Sequence, residues 1–295
     1  LTVRNITVRN PWYSQNGDGI DIESCKNVVV YNSSFDVGDD AICIKSGKDE
    51  DGRRRGVPCE NLVIRNNIVY HGHGGVTVGS EMSGGVRNMH VSACTFMGTD
   101  VGLRFKSTRG RGGVVENIYI SDIRMTNIPT QAISFDLYYG GKSVSEMLAD
   151  GGQDAMAQME PVTAETPQFR NIFIRDVTLK GALQAVFLQG LPEMNLENIE
   201  ISNMLLEADR GITLIDADGV KISDVKLITK DETAVEMYNS RNVEVTRFMS
   251  HIKSPRTITV NGAKSGNIRL ISSGAQKLQE CTSVGTEVPE NAVSF

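Results

Sequence analysis

Four short polar motifs and a tyrosine pair bring acidic, basic and imidazole side chains into the first half of this 295-residue chain. In chain order they are Asn16-Gly17-Asp18-Gly19, Gly38-Asp39-Asp40, Gly72-His73-Gly74, Arg104-Phe105-Lys106 and Tyr138-Tyr139. Carboxylates held close together raise the pKa of at least one of them, as a general acid requires. A guanidinium offers a two-pronged donor to a carboxylate, and an ammonium adds a point charge. If folding gathers these groups, they can hydrolyse an acidic sugar chain.

The motifs recur at the same point of successive sequence repeats. One half of each repeat is an asparagine followed by alternating apolar residues, and it begins at Asn27, Asn61, Asn88, Asn117, Asn171, Asn198, Asn242 and Asn267. The other half opens with a small residue, at Gly19, Ala41, Gly75, Gly102, Ala132, Ala185, Gly211, Ala234 and Thr257. Alternation at period two predicts strands. A spacing of about 21 to 34 residues is typical of stacked repeats.

Each short strand can bury only one face, so neighbouring coils must continue the core. The repeats lack the leucine scaffold and helix of a leucine-rich repeat and the longer antiparallel blades of a propeller. We therefore predict an all-β protein, a right-handed single-stranded parallel β-helix that forms a single domain over residues 1–295. The repeat ends near residue 271, and the tail from about 274 to 295 has no assignment.

The chain begins inside a repeat, without residues typical of a solenoid cap. Because an open end exposes strand edges and core, we expect further N-terminal coils and interpret the sequence as a fragment.

No apolar run is long enough to span a membrane, and a net charge of −6 with scattered cations argues against a nucleic-acid partner. Cys25 and Cys59 share a register of adjacent coils, so a disulfide is compatible with the spacing, but we favour two buried thiols.

Two insertions interrupt the repeat, at about 46–58 and about 140–166. The first is highly charged and is expected in solvent, whereas the Ser143–Glu160 part of the second has a helix-forming composition. Long loops in compact domains often line binding sites. Because both leave the solenoid beside the motif-bearing strands, we expect them to wall a cleft.

Alignment of the strands places the motif residues in register. Asp18 and Asp40 each directly precede a strand and lie one coil apart, roughly 5 Å between backbones. Asp39 shares the register of His73. Arg104 and Lys106 face outward, whereas Leu103 and Phe105 face the core, and Tyr138 directly follows the next strand. The arrangement suggests that Asp18 and Asp40 hold a water as base while Asp39 protonates the leaving oxygen.

Each motif alone has a simpler interpretation. Asp-Gly is a turn signal, a glycine-flanked histidine is commonly a surface residue, and Lys45 occupies the register of Lys106 without any motif around it. A stack of aspartates also suits Ca²⁺. Only the joint occurrence, in order and at stackable spacing, favours catalysis.

The motif set resembles the signatures of the polygalacturonase family, glycoside hydrolase family 28, whose usual forms are NTDG, DD, GHG and RIK. The similarity is strongest over residues 16–139 and includes GSEMSGGVRN at 79–88. It implies an inverting hydrolase of α-1,4-linked galacturonan. The resemblance assigns Asp39 as the acid, Asp18 and Asp40 as the groups that hold the water, His73 as support for the acid, Asn16 as an orienting residue, and Arg104, Lys106 and a tyrosine as substrate-binding residues. Spacing favours Tyr138 over Tyr139. Gly17 replaces the family's threonine, and Phe105 its isoleucine.

The same resemblance implies no cofactor and no metal, a pectic polysaccharide or oligogalacturonide as partner, and a secreted or periplasmic, monomeric protein. Because GSEMSGGVRN resembles bacterial relatives that include exo-acting enzymes, we expect exo action. The alternatives are a rhamnogalacturonan or xylogalacturonan hydrolase of the same family, a Ca²⁺-dependent β-helical pectate lyase, and a non-catalytic carbohydrate-binding solenoid.

Overall fold

Parallel strands dominate the computed structural model, which describes residues 1–139, 159–252, 254–272 and 277–295. The strands are β1 Thr2–Arg4, β2 Thr7–Arg9, β3 Ile20–Glu23, β4 Lys26–Tyr31, β5 Ser34–Asp36, β6 Ile42–Lys45, β7 Cys59–Arg65, β8 Ile68–His71, β9 Gly74–Val78, β10 Val86–Met97, β11 Val101–Lys106, β12 Val114–Asp136, β13 Gln168–Gln189, β14 Leu196–Glu207, β15 Arg210–Ile215, β16 Ala217–Ile228, β17 Val235–Tyr238, β18 Arg241–Ser250, β19 Ile258–Asn261, β20 Gly266–Ile271, β21 Thr282–Val284 and β22 Val293–Ser294. A helix, α1, spans Asp49–Arg55, and a 3-10 helix spans Leu278–Cys281.

The strands form three parallel stacks around one core. The first stack starts with β1, β4 and β7, and the second starts with β2, β5 and β8. The third stack runs β3, β6, β9 and β11, then through the end of β12 and β13 to β15, β17, β19 and β21. Crossovers between parallel strands are right-handed in nearly all proteins. The predicted right-handed, single-stranded parallel β-helix is confirmed.

An asparagine ladder marks the turn into the first stack. The repeat asparagines lie in the left-handed region, with φ of 54° at Asn171 and 57° at Asn117, where asparagine is tolerated better than most residues. Most of the side-chain amides donate to the asparagine one coil earlier, as Asn198 does to Asn171 (2.8 Å) and Asn171 to Asn117 (3.4 Å), whereas Asn242 donates to Asp218. At this corner of the coil the structure therefore uses asparagine.

The interior is a continuous column of apolar side chains. Phe105, Phe135 and Phe169 stack within it, with 4.4 Å between the ring centroids of the first two. Leu103 and Phe105 are completely buried, as predicted. The intervening Arg104 and the following Lys106 therefore project from the outer face of the third stack.

Outside the regular coils, the first insertion forms α1. Arg53 of this helix bonds the carbonyl of Gly110 and, at 3.0 Å, the carboxylate of Glu165, and Asp49 pairs with Arg111. The predicted helix-forming segment lies outside the described residues except for Met159 and Glu160. The tail continues the solenoid, since β21 pairs with β19 and β22 with β20.

All five cysteines are free; Cys59 is buried and Cys25 half-buried. Neither described helix has the length and apolar composition to cross a bilayer.

The asparagine ladder predicts a stability effect at Asn171, which donates to one neighbour and accepts from another. Asn171→Ala should lower the free energy of unfolding by about 1–3 kcal/mol, because alanine is strained at this φ and two hydrogen bonds are lost. Asn171→Gly, which tolerates the φ, should be less destabilising. Denaturant unfolding measures both, and equal stability of the alanine variant and the parent would contradict the assigned role.

Candidate active site

The four predicted motifs meet at one edge of the third stack. Asp18 lies just before β3, Asp40 just before β6, and His73 just before β9. The amide of Gly19 donates to the Asp40 carbonyl (2.9 Å), and the amide of His73 to the Asp39 carbonyl (2.9 Å). The strand registers, with Ile20 beside Ile42 and Ile42 beside Val76, extend back to place Asp18 beside Asp40 and Asp39 beside His73, as predicted.

A cleft of about 370 Å³ opens over this edge. Seven of the eight predicted site residues line it: Asn16, Asp18, Asp39, Asp40, His73, Arg104 and Lys106. The other described lining residues are Asp21, Lys45, Gly79, Ser80, Glu81 and Tyr139. None of residues 46–58 is among them, so α1 does not line the cleft, although Gly79–Glu81 of the GSEMSGGVRN segment does.

Asp40 is the most buried of the three predicted acids, with a relative exposure of 2%. Its Oδ1 accepts a hydrogen bond from Arg104 Nη1 (3.2 Å), and its Oδ2 accepts one from Lys106 Nζ (2.8 Å). Burial raises the pKa of Asp40, but the two cations outweigh that effect and hold the pKa below its ordinary value. Asp40 is thus a carboxylate even at mildly acidic pH.

The two carboxylate oxygens of Asp39 have different surroundings. Its Oδ1 accepts from the amide of Asp40 (2.9 Å) and lies 3.2 Å from Nδ1 of His73. In the part of the chain that the structure describes, no hydrogen bond reaches Asp39 Oδ2. Nε2 of His73 lies 3.8 Å from Asp100, so the imidazole sits between two carboxylates.

Asp18 has a different environment. Burial raises the pKa of its carboxyl to about 6; Lys45 opposes this, and the charges of Asp21 and Asp39 add to it. Lys45 Nζ lies 3.3 Å from Asp18, 2.7 Å from Asp21 and 3.9 Å from Glu81. Lys45 is therefore part of the site and not merely a tolerated surface lysine.

Three donor atoms could suggest a metal centre. Asp18, Asp21 and Cys43 offer ligand atoms within 4.8 Å of one another. However, burial raises the pKa of the Cys43 thiol well above its ordinary value, so the sulfur is neutral. Lys45 already supplies a cation to both carboxylates, and Ca²⁺ prefers six to eight oxygen ligands. This donor set does not fit a calcium centre.

The structure separates the two tyrosines. The ring of Tyr139 lies under the cations, with its centroid 4.9 Å from Lys106 Nζ and 5.6 Å from the guanidinium carbon of Arg104. Tyr138, the tyrosine favoured by spacing, is half-buried against the core and stacks on Arg109 at 5.4 Å. Burial raises its pKa to about 12. Tyr138 does not line the cleft, because the turn after β12 directs the second tyrosine toward it.

At two motif positions, Gly74 and Gly17, a side chain larger than that of glycine would clash with neighbouring atoms. A Cβ on Gly74 would lie 2.7 Å from Oδ1 of Asp40 and 2.1 Å from Oγ1 of Thr77, so only glycine lets the Asp40 carboxylate occupy its position. A Cβ on Gly17 would lie 1.9 Å from Oγ of Ser14. The Ser14 hydroxyl thus fills the space where the family's usual threonine would begin.

The sequence analysis did not assign five residues that the structure places at the site: Asp21, Lys45, Glu81, Asp100 and Tyr139. Three of them follow the strand register, and Lys45 was already noted in the register of Lys106. Asp100 stands two residues before Gly102, as His73 does before Gly75, and Asp21 occupies the strand position of Arg104. The position of Glu81 cannot be predicted from the repeat, because Glu81 lies in the loop between β9 and β10.

Comparisons with known proteins identify the family of the chain. The family model described as glycosyl hydrolases family 28 matches residues 1–174. A "Probable polygalacturonase" of Vitis vinifera is 30% identical over 207 residues, which cover 70% of this chain and 39% of that protein. An "Exo-poly-alpha-D-galacturonosidase" of Dickeya chrysanthemi is 34% identical over 188 residues, which cover 64% of this chain and 30% of that protein.

Two solved structures resemble the fold. A hyperthermoactive exopolygalacturonase of Thermotoga maritima has a TM-score of 0.61 and 35% identity, covering 70% of this chain and 42% of that one. A family 28 exopolygalacturonase of Yersinia enterocolitica has a TM-score of 0.53 at 21% identity, and the match covers 86% of this chain and 38% of that one.

The chain thus spans less than half the length of these relatives. Because the family model covers more than half of the chain and the relatives carry the same fold, the protein belongs to glycosyl hydrolases family 28.

Proposed function

We propose that this protein hydrolyses α-1,4-galacturonosyl linkages of pectic polysaccharide with inversion of configuration. One observation carries the proposal: Asp40, held as a carboxylate by Arg104 and Lys106, adjoins Asp39, which keeps one oxygen free for a proton. An ionised and a protonatable carboxyl side by side are the groups that glycoside hydrolysis needs.

In the proposed reaction, Asp39 donates its proton to the glycosidic oxygen as the bond from that oxygen to the anomeric carbon breaks. Asp18 and Asp40 hold a water on the opposite face of the sugar and accept its proton as the water oxygen bonds the anomeric carbon. His73, between Asp39 and Asp100, positions the acid. Attack from the face opposite the leaving group inverts the anomeric centre.

The cations explain a preference for an acidic sugar. Arg104 uses Nη1 in its hydrogen bond to Asp40, and no hydrogen bond to another described residue engages its Nε or Nη2. These two nitrogens together can make a two-pronged contact with a uronate carboxylate. The exposed Tyr139 ring lies against both cations and offers a flat surface to the same sugar. We assign substrate binding to Arg104, Lys106 and Tyr139, and an orienting role to Asn16.

We propose exo action, in line with the names of the Dickeya and Thermotoga relatives. Relatives with 34% identity over 147 residues include an "Endo-polygalacturonase" of Pectobacterium carotovorum, so product size is the deciding measurement. A secreted or periplasmic location and a monomeric state remain part of the proposal, as does the absence of a cofactor.

Replacement of the acid tests the proposal directly. Asp39→Asn should lower the release of reducing ends from polygalacturonate by about 10²–10⁴-fold, because the amide cannot donate a proton of suitable acidity. Asp122→Asn, at an exposed turn away from the cleft, is the matched control and should retain activity. Monomers or dimers as first products would support exo action.

Two results would contradict the hydrolase. Unsaturated products that depend on calcium would indicate a lyase, and oligogalacturonate binding without any cleavage by the parent would indicate a binding solenoid.

Lys45 predicts a change in the pH profile. Asp18 must be ionised to act as base, so kcat/KM should rise as pH increases through about 6. Lys45→Met removes the charge that opposes the raised pKa of Asp18, so the acidic limb should move to higher pH, with the largest loss of activity below pH about 6. Lys48→Met, an exposed lysine three residues later, should leave the profile unchanged. If the acidic limb of the kcat/KM profile stays at the same pH in Lys45→Met, Asp18 is not the general base.

The two tyrosines can be separated kinetically. Tyr139→Ala should raise KM for oligogalacturonates about tenfold, the effect of losing roughly 1.4 kcal/mol of binding. Tyr138→Ala should instead lower the unfolding temperature, because that side chain packs on the core and on Arg109. Steady-state kinetics and thermal unfolding of both variants provide the test, and a KM effect confined to Tyr138→Ala would reverse the assignment.

A further inference from the structure

Two outward-facing rows of the third stack run from the acid cluster along the solenoid. The arginine row continues from Arg104, one residue per coil, through Ser134, Phe187, Thr213 and Glu236. The lysine row continues from Lys106 through Asp136, Gln189, Ile215 and Tyr238. Aromatic and apolar side chains therefore enter these rows within a few coils of the cations, at Phe187, Ile215 and Tyr238.

Phe187, Ile215 and Tyr238 form a small apolar cluster, separate from the main core, on this outer surface. We call it the aromatic platform. The rings of Phe187 and Tyr238 are only partly buried, and a cavity of about 330 Å³ lies over them. Ile215 is buried, with the two partly exposed rings packed against it, so the rings form the accessible part of this cluster.

The platform is continuous with the catalytic cleft. An intermediate cavity of about 220 Å³ shares Arg104, Lys106 and Tyr139 with the cleft. It shares Gln184, Phe187 and Arg210 with the platform cavity. Phe187 lies two coils from Arg104, roughly 10 Å along the axis, a distance that a linear polysaccharide bound at the acids can span.

The charges at the platform differ from those at the cleft. Of the described residues that line the platform cavity, one is basic: Arg210. Its Nε lies 3.9 Å from Oδ2 of Asp231. Glu236 lines the same cavity. A uronate carboxylate would therefore meet no excess positive charge there, whereas the C–H face of a sugar ring packs well on aromatic and apolar side chains.

We propose that the aromatic platform is a saccharide subsite for an uncharged pyranose ring, such as a methyl-esterified galacturonate residue, of the same chain that is cut at the acids. The inference rests on the proposed function, because it places both sites on one substrate. Gln184 and Thr213, which are hydrogen-bonded to each other at 2.9 Å, supply polar contacts at the edge of the ring.

Binding to a non-hydrolysing protein tests the subsite. In the Asp39→Asn background, calorimetry would compare fully acidic and partially methyl-esterified oligogalacturonates of equal length, long enough to reach the platform. The esterified oligomer should bind more tightly, and Phe187→Ala should weaken its binding about tenfold, equivalent to roughly 1.4 kcal/mol. Tyr238→Ala is the second variant, in case Phe187→Ala fails to fold.

Phe173→Ala is the matched control. Phe173 lies on the same strand, β13, and its half-buried ring stacks on Tyr119 at 5.4 Å in the first stack, away from the cleft. This variant should bind both oligomers as the Asp39→Asn parent does.

The outcomes separate the two proposals. Equal affinity of the parent for both oligomers, unchanged by Phe187→Ala and Tyr238→Ala, would overturn the subsite and leave the hydrolase intact. Failure to bind either oligomer, with no cleavage of polygalacturonate by the unsubstituted protein, would overturn the proposed function itself.

Discussion

Every feature of this molecule depends on coils that stack in constant register, about 4.8 Å apart. Because the register does not drift across the third stack, a residue type that recurs at one repeat position becomes a row of side chains on one face. The asparagine turns help to hold that register, since each one both adopts the left-handed backbone and bonds the equivalent asparagine one coil away. Residues far apart in sequence, such as Asp40 and Arg104, are thereby brought within hydrogen-bond distance.

The clearest cost of this arrangement is a buried charge at Asp40. A carboxylate at 2% exposure would take up a proton if it stood alone, because burial disfavours the charged form. Lys106 and Arg104 reverse that outcome by direct hydrogen bonds. The same two cations line the cleft, so under the proposed function the pair that keeps Asp40 ionised would also bind the carboxylate of an acidic sugar. The ionisation of Asp40 and the positive charge of the cleft therefore depend on one ion cluster.

The repeat pattern was sufficient to predict the fold, the orientation of Phe105 and Lys106, and the pairing of Asp18 with Asp40, because all of these follow from strand register. Extension of the same register would also have identified Asp100 and Asp21. The strand register could not predict the position of Tyr139. Because β12 ends at Asp136, the path of the following turn decides which tyrosine faces the cations. The placement of Glu81 likewise depends on a loop, to which a strand repeat does not apply. The tail was missed for the opposite reason, since β21 and β22 continue the stacks without a recognisable repeat.

A solenoid also separates functions along its axis in a way that a globular pocket does not. Each coil adds one residue to the arginine row and one to the lysine row, on the side of the sheet away from the apolar column, although Gln189 and Ile215 are themselves buried. The change from Arg104 to Phe187 alters what the surface can bind, while Leu103 and Val186 keep the interior apolar on the same strands. Under the proposed function, a linear polysaccharide that lies along these rows meets the acids, then the cations, then the aromatic platform in a fixed order. The proposed discrimination between charged and uncharged sugars would therefore lie at a distance from the bond that is cut, in coils that carry none of the proposed catalytic residues.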